Sequence, residues 1–410
     1  MAQSYAFRHQ PWKGLYLTYQ LIVSVCVRFP LWVLFNLPSS WRPLPTWSLK
    51  RAIMVNVVRR FMETTAQTGN FLPVPNHLSI GSGRNVNGVW VAAANHLVTG
   101  ELKQWADIAG VSCVRIPGYW YQKKGASIKP TAPAQAGEKI FCAFHGGAYI
   151  KLSAHPKDPT AAIARGLLQR VDNINRLFSL EYRLAVSKPF KPAHPFPTQL
   201  LDALSGYNYL VNTLGFAPEN IIVVGDSAGA NLAHALVRYL TDYHGSSEVD
   251  VPAPPGGLIL LSPWADLGKS HEILPNGAAQ KAVPTDYIGS RYGDHEYAKD
   301  AFTGPHGRGA AEINPYISPA SLHPSLQVNF TKFPRTFIIG GGAEIIIDSI
   351  RTLKERMVRD LGEGNGVREG EGKVRYLEAP DAVHDYLIFT WHEPERTQAL
   401  KAINEWVNAS

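Results

Sequence analysis

The stretch NIIVVGDSAGANLAHALVRYL, Asn220 to Leu240, constrains this chain more than any other. A burst of β-branched residues runs into G-x-S-x-G and then into an amphipathic pattern, so strand, tight turn and helix follow without a linker. Gly225 and Gly229 leave room where strand and helix cross, and Ser227 projects from the apex between them. A strand that passes at once into a helix is the first half of a parallel crossover, because parallel neighbours cannot be joined by a hairpin.

The rest of the chain keeps that rhythm. GVWVAAA (88–94), VSCVRIPGYWY (111–121), KIFCAFHGGAYI (139–150), RLFSLEYRL (176–184), LILLSPW (258–264), FIIGG (337–341) and VRYLEAP (374–380) read as strands. DPTAAIARGLLQRV (158–171) and PFPTQLLDALSGYNYLVNTLG (195–215) read as helices, the second closed by Gly215. Continuous apolar strands alternating with helices predict an α/β fold: a mostly parallel central sheet covered on both faces. Between Trp264 and Phe333 the rhythm fails, and the segment turns polar and rich in Gly and Pro. A loop of that length in a compact domain is a functional insertion, so a cap is expected at about 268–320. The organisation expected is an N-terminal hydrophobic helical region over 1–84 and a catalytic core over 85–410.

Forty basic against 33 acidic residues give a net charge of +7, but the lysines and arginines are spread along the chain. No basic-aromatic interleaving marks a nucleic-acid surface. Cys26, Cys113 and Cys142 are odd in number and far apart, which fits neither a disulfide framework nor a zinc site. No motif calls for a metal or a cofactor. From Leu15 to Leu37 the chain is apolar but interrupted by Gln20, Arg28 and Pro30. Three readings stay open: a single-pass anchor, an interfacial segment, or a helix pair packed over the active site. No small-residue cleavage site follows, which argues against a secreted protein. If the segment spans, the basic residues after it (Arg42, Lys50, Arg51, Arg59, Arg60) put the bulk of the protein in the cytosol. The location expected is therefore cytoplasmic or membrane-associated, for instance at the endoplasmic reticulum surface.

Serine is a weak nucleophile unless a base takes its proton. His384, in APDAVHDYLIF after the last strand, stands where the order Ser, acid, His places that base. TFIIGGGAEIIIDSI supplies the acid: Glu344 directly after the strand, or Asp348 four residues on, with the strand-end position favouring Glu344. HGGA, His145 to Ala148, ends a buried strand upstream. The amides of Gly146 and Gly147, with that of Ala228, are expected to form an oxyanion hole, and His145 to orient the loop. Tyr149, Trp264 and Tyr287 are candidate pocket residues.

With HGGA, GDSAGAN, a strand-end acid and a late His in this order, most of residues 85–410 resembles the hormone-sensitive lipase branch of the α/β-hydrolase fold. EYRLA (181–185), PFPTQLLDAL, LLSPW and NPYISPA (314–320) add to the resemblance. It implies a Ser227–His384–Glu344 triad, with Asp348 on the family's second Asp, and a cap made of N-terminal helices plus an insertion. Ala148 departs from the third glycine of HGGG, and Glu344 stands where Asp is usual. The hydrophobic N-terminus is similar to that of fungal members. The resemblance implies a serine carboxylesterase acting on a hydrophobic, short-acyl ester of a lipid or secondary metabolite; the oligomeric state, a homodimer included, stays open. The same residues would serve a biosynthetic hydrolase working on a polyketide-like lactone or thioester. Receptors of the family have lost the histidine that this chain retains.

Overall fold

In the computed structural model, which describes residues 5–71, 75–83, 86–289 and 294–409, all eight strands join one sheet. They are β1 (Asn87–Val91), β2 (Ile116–Gln122), β3 (Lys139–Phe144), β4 (Ile174–Leu180), β5 (Ile221–Asp226), β6 (Gly257–Leu261), β7 (Thr336–Gly341) and β8 (Val374–Ala379). The order is β1-β2-β4-β3-β5-β6-β7-β8. β2 runs antiparallel to both its neighbours, and every pairing from β4 through β3 to β8 is parallel. This is the mostly parallel sheet that the rhythm of the chain predicted, in the α/β-hydrolase fold that the resemblance implied.

Period-two alternation sends successive side chains to opposite faces, and here both faces are apolar. Cys142, Val223, Leu258, Leu260 and Ile338 pack on one side against Leu200, Leu236 and Leu353 of the helices Thr198–Asn208, Ala228–Tyr243 and Ile347–Leu361. Phe141, Ile222, Val224, Ile259 and Phe337 pack on the other against Leu167 and Trp406 of the helices Ala161–Arg170 and Glu395–Asn408.

The strand expected through EYRLA stops at Leu180. Glu181 is fully buried and accepts from Ser153 Oγ and Ala154 N, while Arg183 makes a buried ion pair with Asp202 at 2.7 Å. Buried polar and ionic side chains need such partners, and although Glu181 N still donates to Pro117 O of β2, the side chains of Glu181 and Arg183 turn to Ser153 and Asp202.

The N-terminal region divides in two. Trp47 is fully buried in the core face of Phe141 and donates its indole N–H to Asp381 O at 2.8 Å. From it the helix Leu49–Thr68 is tied to the C-terminal half by the Arg51–Glu395 ion pair (2.6 Å) and to the insertion by Arg59, which donates to Pro284 O and Asp286 O. The boundary expected between Arg84 and Asn85 lies outside the described residues, as do residues 290–293 of the insertion.

The preceding segment is one nearly continuous helix, Trp12–Asn36, long and apolar enough to cross a membrane. Pro30 lacks an N–H and crowds the carbonyl four residues back, and a wide turn over Ser24–Arg28 absorbs it: Phe29 N reaches Ser24 O. Of the three readings left open for this segment, a helix pair packed over the active site does not fit its exposure. Tyr19, Ile22 and Val25 are 55–60% exposed, whereas the buried positions are polar, Gln20 at 7% and Asn36 at 6%. Arg28 is satisfied within the helix by Gln20 Oε1 (2.8 Å) and Ser24 Oγ (3.0 Å).

Because Trp47 is core although it stands far from the sheet in sequence, Trp47→Ala should cost about 3–5 kcal/mol of unfolding free energy. Denaturant titration of the full chain measures it.

Candidate active site

β5 ends at Asp226, and Ser227 takes φ 52°, ψ −116°, a strained conformation for a residue with a side chain. Two glycines permit it. A Cβ on Gly225 would stand 2.1 Å from Gly229 O, and one on Gly229 would stand 2.1 Å from Phe144 O at the end of β3. Ser227 N is held by Leu261 O (2.9 Å) and Ser227 O by Trp264 N (3.1 Å), so the next strand fixes the turn. The hydroxyl sits at the N-terminus of the helix Ala228–Tyr243, whose dipole favours developing negative charge there.

Ser227 Oγ lies 2.9 Å from His384 Nε2, and His384 Nδ1 lies 2.7 Å from Glu344 Oε2. The three residues, which come from β5, the loop after β8 and the loop after β7, thus form one hydrogen-bonded line. Glu344 Oε1 also accepts from Gly341 N and Ser262 Oγ. Burial pushes the Glu344 carboxyl up, and hydrogen bonding and charge from His384 oppose that rise. Burial disfavours protonation of His384, but the Asp385 and Glu344 carboxylates outweigh it and hold the imidazole well above its ordinary value.

Asp348 points elsewhere. Its Oδ2 accepts from Ala278 N at 2.7 Å and its Oδ1 pairs with Arg351 at 3.2 Å, which anchors the insertion to the helix Ile347–Leu361. It makes no contact with His384.

The loop after β3 departs from expectation by one residue. Gly146 N donates to Asp226 Oδ2 at 2.9 Å, so this amide is already used. Gly147 and Ala148 line the cleft beside Ser227, and among the described residues neither amide donates to a protein acceptor. The amides left free beside Ser227 are therefore those of Gly147 and Ala148, together with that of Ala228 at the start of its helix, where no intrahelical acceptor exists. The backbone is left-handed at Gly147 (φ 106°), Ala148 (53°) and Tyr149 (63°). His145 underpins the loop: its ring stacks on Tyr182, Nδ1 contacts Gly146 O at 2.7 Å, and burial lowers its pKa to about 4.

Tyr149 is not a pocket residue. The left-handed turn buries it under the loop, stacked on Phe302 and donating to Asn231 Oδ1 at 2.7 Å. Trp264 and Tyr287 do line the cleft, a cavity of about 170 Å³ with Met62, Ile345 and Ile388 among its apolar walls. Its polar wall carries the ion pairs Lys151–Asp294 and Lys299–Glu272.

Sequence reasoning missed Asp226, Ser262, Asp286 and Asp385. Asp286, from the insertion, is fully buried, accepts from Ile345 N (2.9 Å) and His384 N (3.4 Å), and is pushed up to about 6 by burial. It clamps the acid loop to the histidine loop, but nothing in the irregular insertion singles it out. Asp385 stands directly beside the candidate base in V-H-D-Y, which was a usable signal.

Comparison with known proteins agrees with this architecture. The family model described as the alpha/beta hydrolase fold matches residues 141–388. An esterase, LipU, of Mycobacterium tuberculosis is 26% identical over 276 residues, covering 67% of this chain and 79% of that protein. An acetyl-hydrolase of Streptomyces hygroscopicus is 28% identical over 221 residues, covering 52% of this chain and 58% of that one. A crystal structure of a hormone-sensitive lipase from a metagenome library superposes with a TM-score of 0.55 at 21% identity, covering 93% and 96% of the two chains.

Since Gly225 admits no Cβ at the crossing, Gly225→Ala should lower stability by about 1–3 kcal/mol, an overpacking cost. Guanidinium unfolding of the purified variant checks this.

Proposed function

This chain belongs to the α/β hydrolase family, and from that premise we propose that it is a serine carboxylesterase. Ser227 Oγ attacks the ester carbonyl as His384 Nε2 takes its proton. Glu344 holds the imidazole in the required tautomer and balances the imidazolium that forms. The amides of Gly147, Ala148 and Ala228 receive the oxyanion, where one donor is worth on the order of 10²-fold in rate. His384 then returns the proton to the leaving alkoxide, and water admitted by the same base resolves the acyl-enzyme. The observation that carries this reading is the Glu344–His384–Ser227 hydrogen-bonded line, at 2.7 and 2.9 Å, ending on a serine in a strained turn.

The substrate we infer is a short-acyl ester of a bulky lipid or secondary-metabolite alcohol. Ala148 in place of a glycine narrows the loop beside Ser227, which favours a small acyl group. Met62, Trp264, Ile345 and Ile388 offer apolar surface for the alcohol. The acetyl-hydrolase relative supports the same choice. An acyl series of p-nitrophenyl esters should give kcat/KM highest for acetyl and falling with chain length, and no turnover of any ester would contradict it. Glu344→Gln should lower kcat by about 10³-fold or more, because the amide disturbs the tautomer, while Asp348→Asn should stay within about tenfold of wild type. Steady-state kinetics on the acetyl ester decides.

We also propose that the helix Trp12–Asn36 inserts into a membrane. Gln20 and Asn36 face the protein while Tyr19, Ile22 and Val25 face outward, the reverse of a helix in water, and Arg28 is already satisfied internally. The full chain should float with phosphatidylcholine liposomes, and the double variant Ile22→Lys, Val25→Lys should remain in the dense fraction.

A further inference from the structure

His384 Nε2 has two neighbours that compete for it. Ser227 Oγ lies at 2.9 Å and Asp385 Oδ2 at 3.2 Å, both buried with the ring. A neutral imidazole donating from Nδ1 to Glu344 presents a lone pair at Nε2, and an ionised carboxylate facing that lone pair is repelled. The arrangement suits a ring protonated on both nitrogens, an imidazolium held between Glu344 and Asp385. Such a ring cannot accept the serine proton.

Asp385 is not placed there by chance of a mobile loop. Its backbone is left-handed (φ 46°), its N–H donates to Ser262 Oγ at 3.1 Å, and Ser262 Oγ in turn donates to Glu344 Oε1. Only 5% of Asp385 is exposed, it belongs to the cleft wall, and its Oδ1 has no hydrogen-bond partner among the described residues. The other acids of that wall are matched to groups outside the reacting set: Glu63 with Arg60, Asp266 with His271, Glu272 with Lys299 and Asp294 with Lys151. Asp385 alone among them pairs with the base itself. Nε2 must hand its proton to the leaving alkoxide, so a carboxylate beside Nε2 faces the alcohol side of the ester.

We infer that Asp385 is a specificity-determining residue that restrains His384 until a hydrogen-bond donor on the alcohol portion of the substrate, next to the ester, engages its carboxylate. This rests on the serine esterase reading above. A donor bound to Asp385 weakens its hold on the Nε2 proton, the proton leaves to solvent, and the neutral base is restored beside Ser227. Esters without the donor are turned over only by the small neutral fraction. The other groups facing the ring are Glu344 on Nδ1, Asp286, which accepts from the His384 amide, the Tyr287 ring, and Asp226 at the end of β5, whose carboxyl is pushed well up by burial and by Asp385. A folded-state pKa raised above the ordinary histidine value means that the active, neutral form gains population as pH rises. Removing Asp385 therefore moves the active limb to lower pH.

The test follows the rate at which a neutral fluorophosphonate labels wild type, Asp385→Asn and Asp385→Ala across pH, with melting temperatures recorded. Both variants should label with the limb about one pH unit or more lower, and so about tenfold faster on the acidic limb. In parallel, wild type should prefer a hydroxyl-bearing acetate, ethylene glycol monoacetate, over its methyl ether in kcat/KM, and the variants should lose that preference. An unmoved or raised limb in folded variants, or a wild type indifferent to the hydroxyl, overturns the inference. Imidazole ¹⁵N NMR of wild type at neutral pH needs no variant: two protonated ring nitrogens on His384 support the inference, and a neutral ring overturns it. Failure of the wild type to label at Ser227 would sink the esterase reading instead.

Discussion

Everything in this site hangs from one strained turn. Ser227 is held in a conformation that costs on the order of 1–3 kcal/mol and persists only because the surroundings allow nothing else. Gly229 lets the helix press against the carbonyl of Phe144, and Gly225 lets the strand pass the carbonyl of Gly229. That contact also draws the end of β3, and with it the loop carrying Gly147 and Ala148, alongside the serine. One steric constraint thus sets Ser227, the free amides of Gly147 and Ala148, and the helix dipole relative to each other.

The second organising feature is the concentration of carboxylates around His384. Glu344, Asp286, Asp385 and Asp226 converge from four chain segments on one buried imidazole. Each carboxylate has a distinct structural task. Glu344 takes Nδ1, Asp286 ties the insertion to the histidine loop, Asp226 holds Gly146, and Asp385 stands at the working nitrogen. Removing charge from water is costly unless it is paired, so such a cluster survives only because nearly every oxygen has a donor. Asp385 Oδ1 has no such partner among the described residues.

The fold was legible because buried parallel strands leave continuous apolar runs, several of which end in glycine, as at Gly146, Gly225 and Gly341. Ser227, His384 and Glu344 could be picked out since each follows a recognisable strand end. What could not be read was which backbone group is free. Gly146 looks like an oxyanion donor until the Asp226 side chain is seen to take its N–H. Tyr149 looks like a wall residue until the left-handed turn sends it under the loop. The apolar character of the N-terminus was plain, but its direction was not: only the placement of Gln20 and Asn36 against the protein reveals a helix with its polar side turned inward. Asp286 lies in a segment without periodicity, so its burial depends wholly on tertiary contacts.

Esterase chemistry at this site requires Ser227 to be an activated nucleophile. Mass-spectrometric mapping of the full chain after reaction with a fluorophosphonate tests it most directly. One stoichiometric adduct is expected on the peptide carrying Ser227, absent after heat denaturation and absent in His384→Ala. An unmodified Ser227 in folded protein, under conditions that label a known serine esterase, would contradict it.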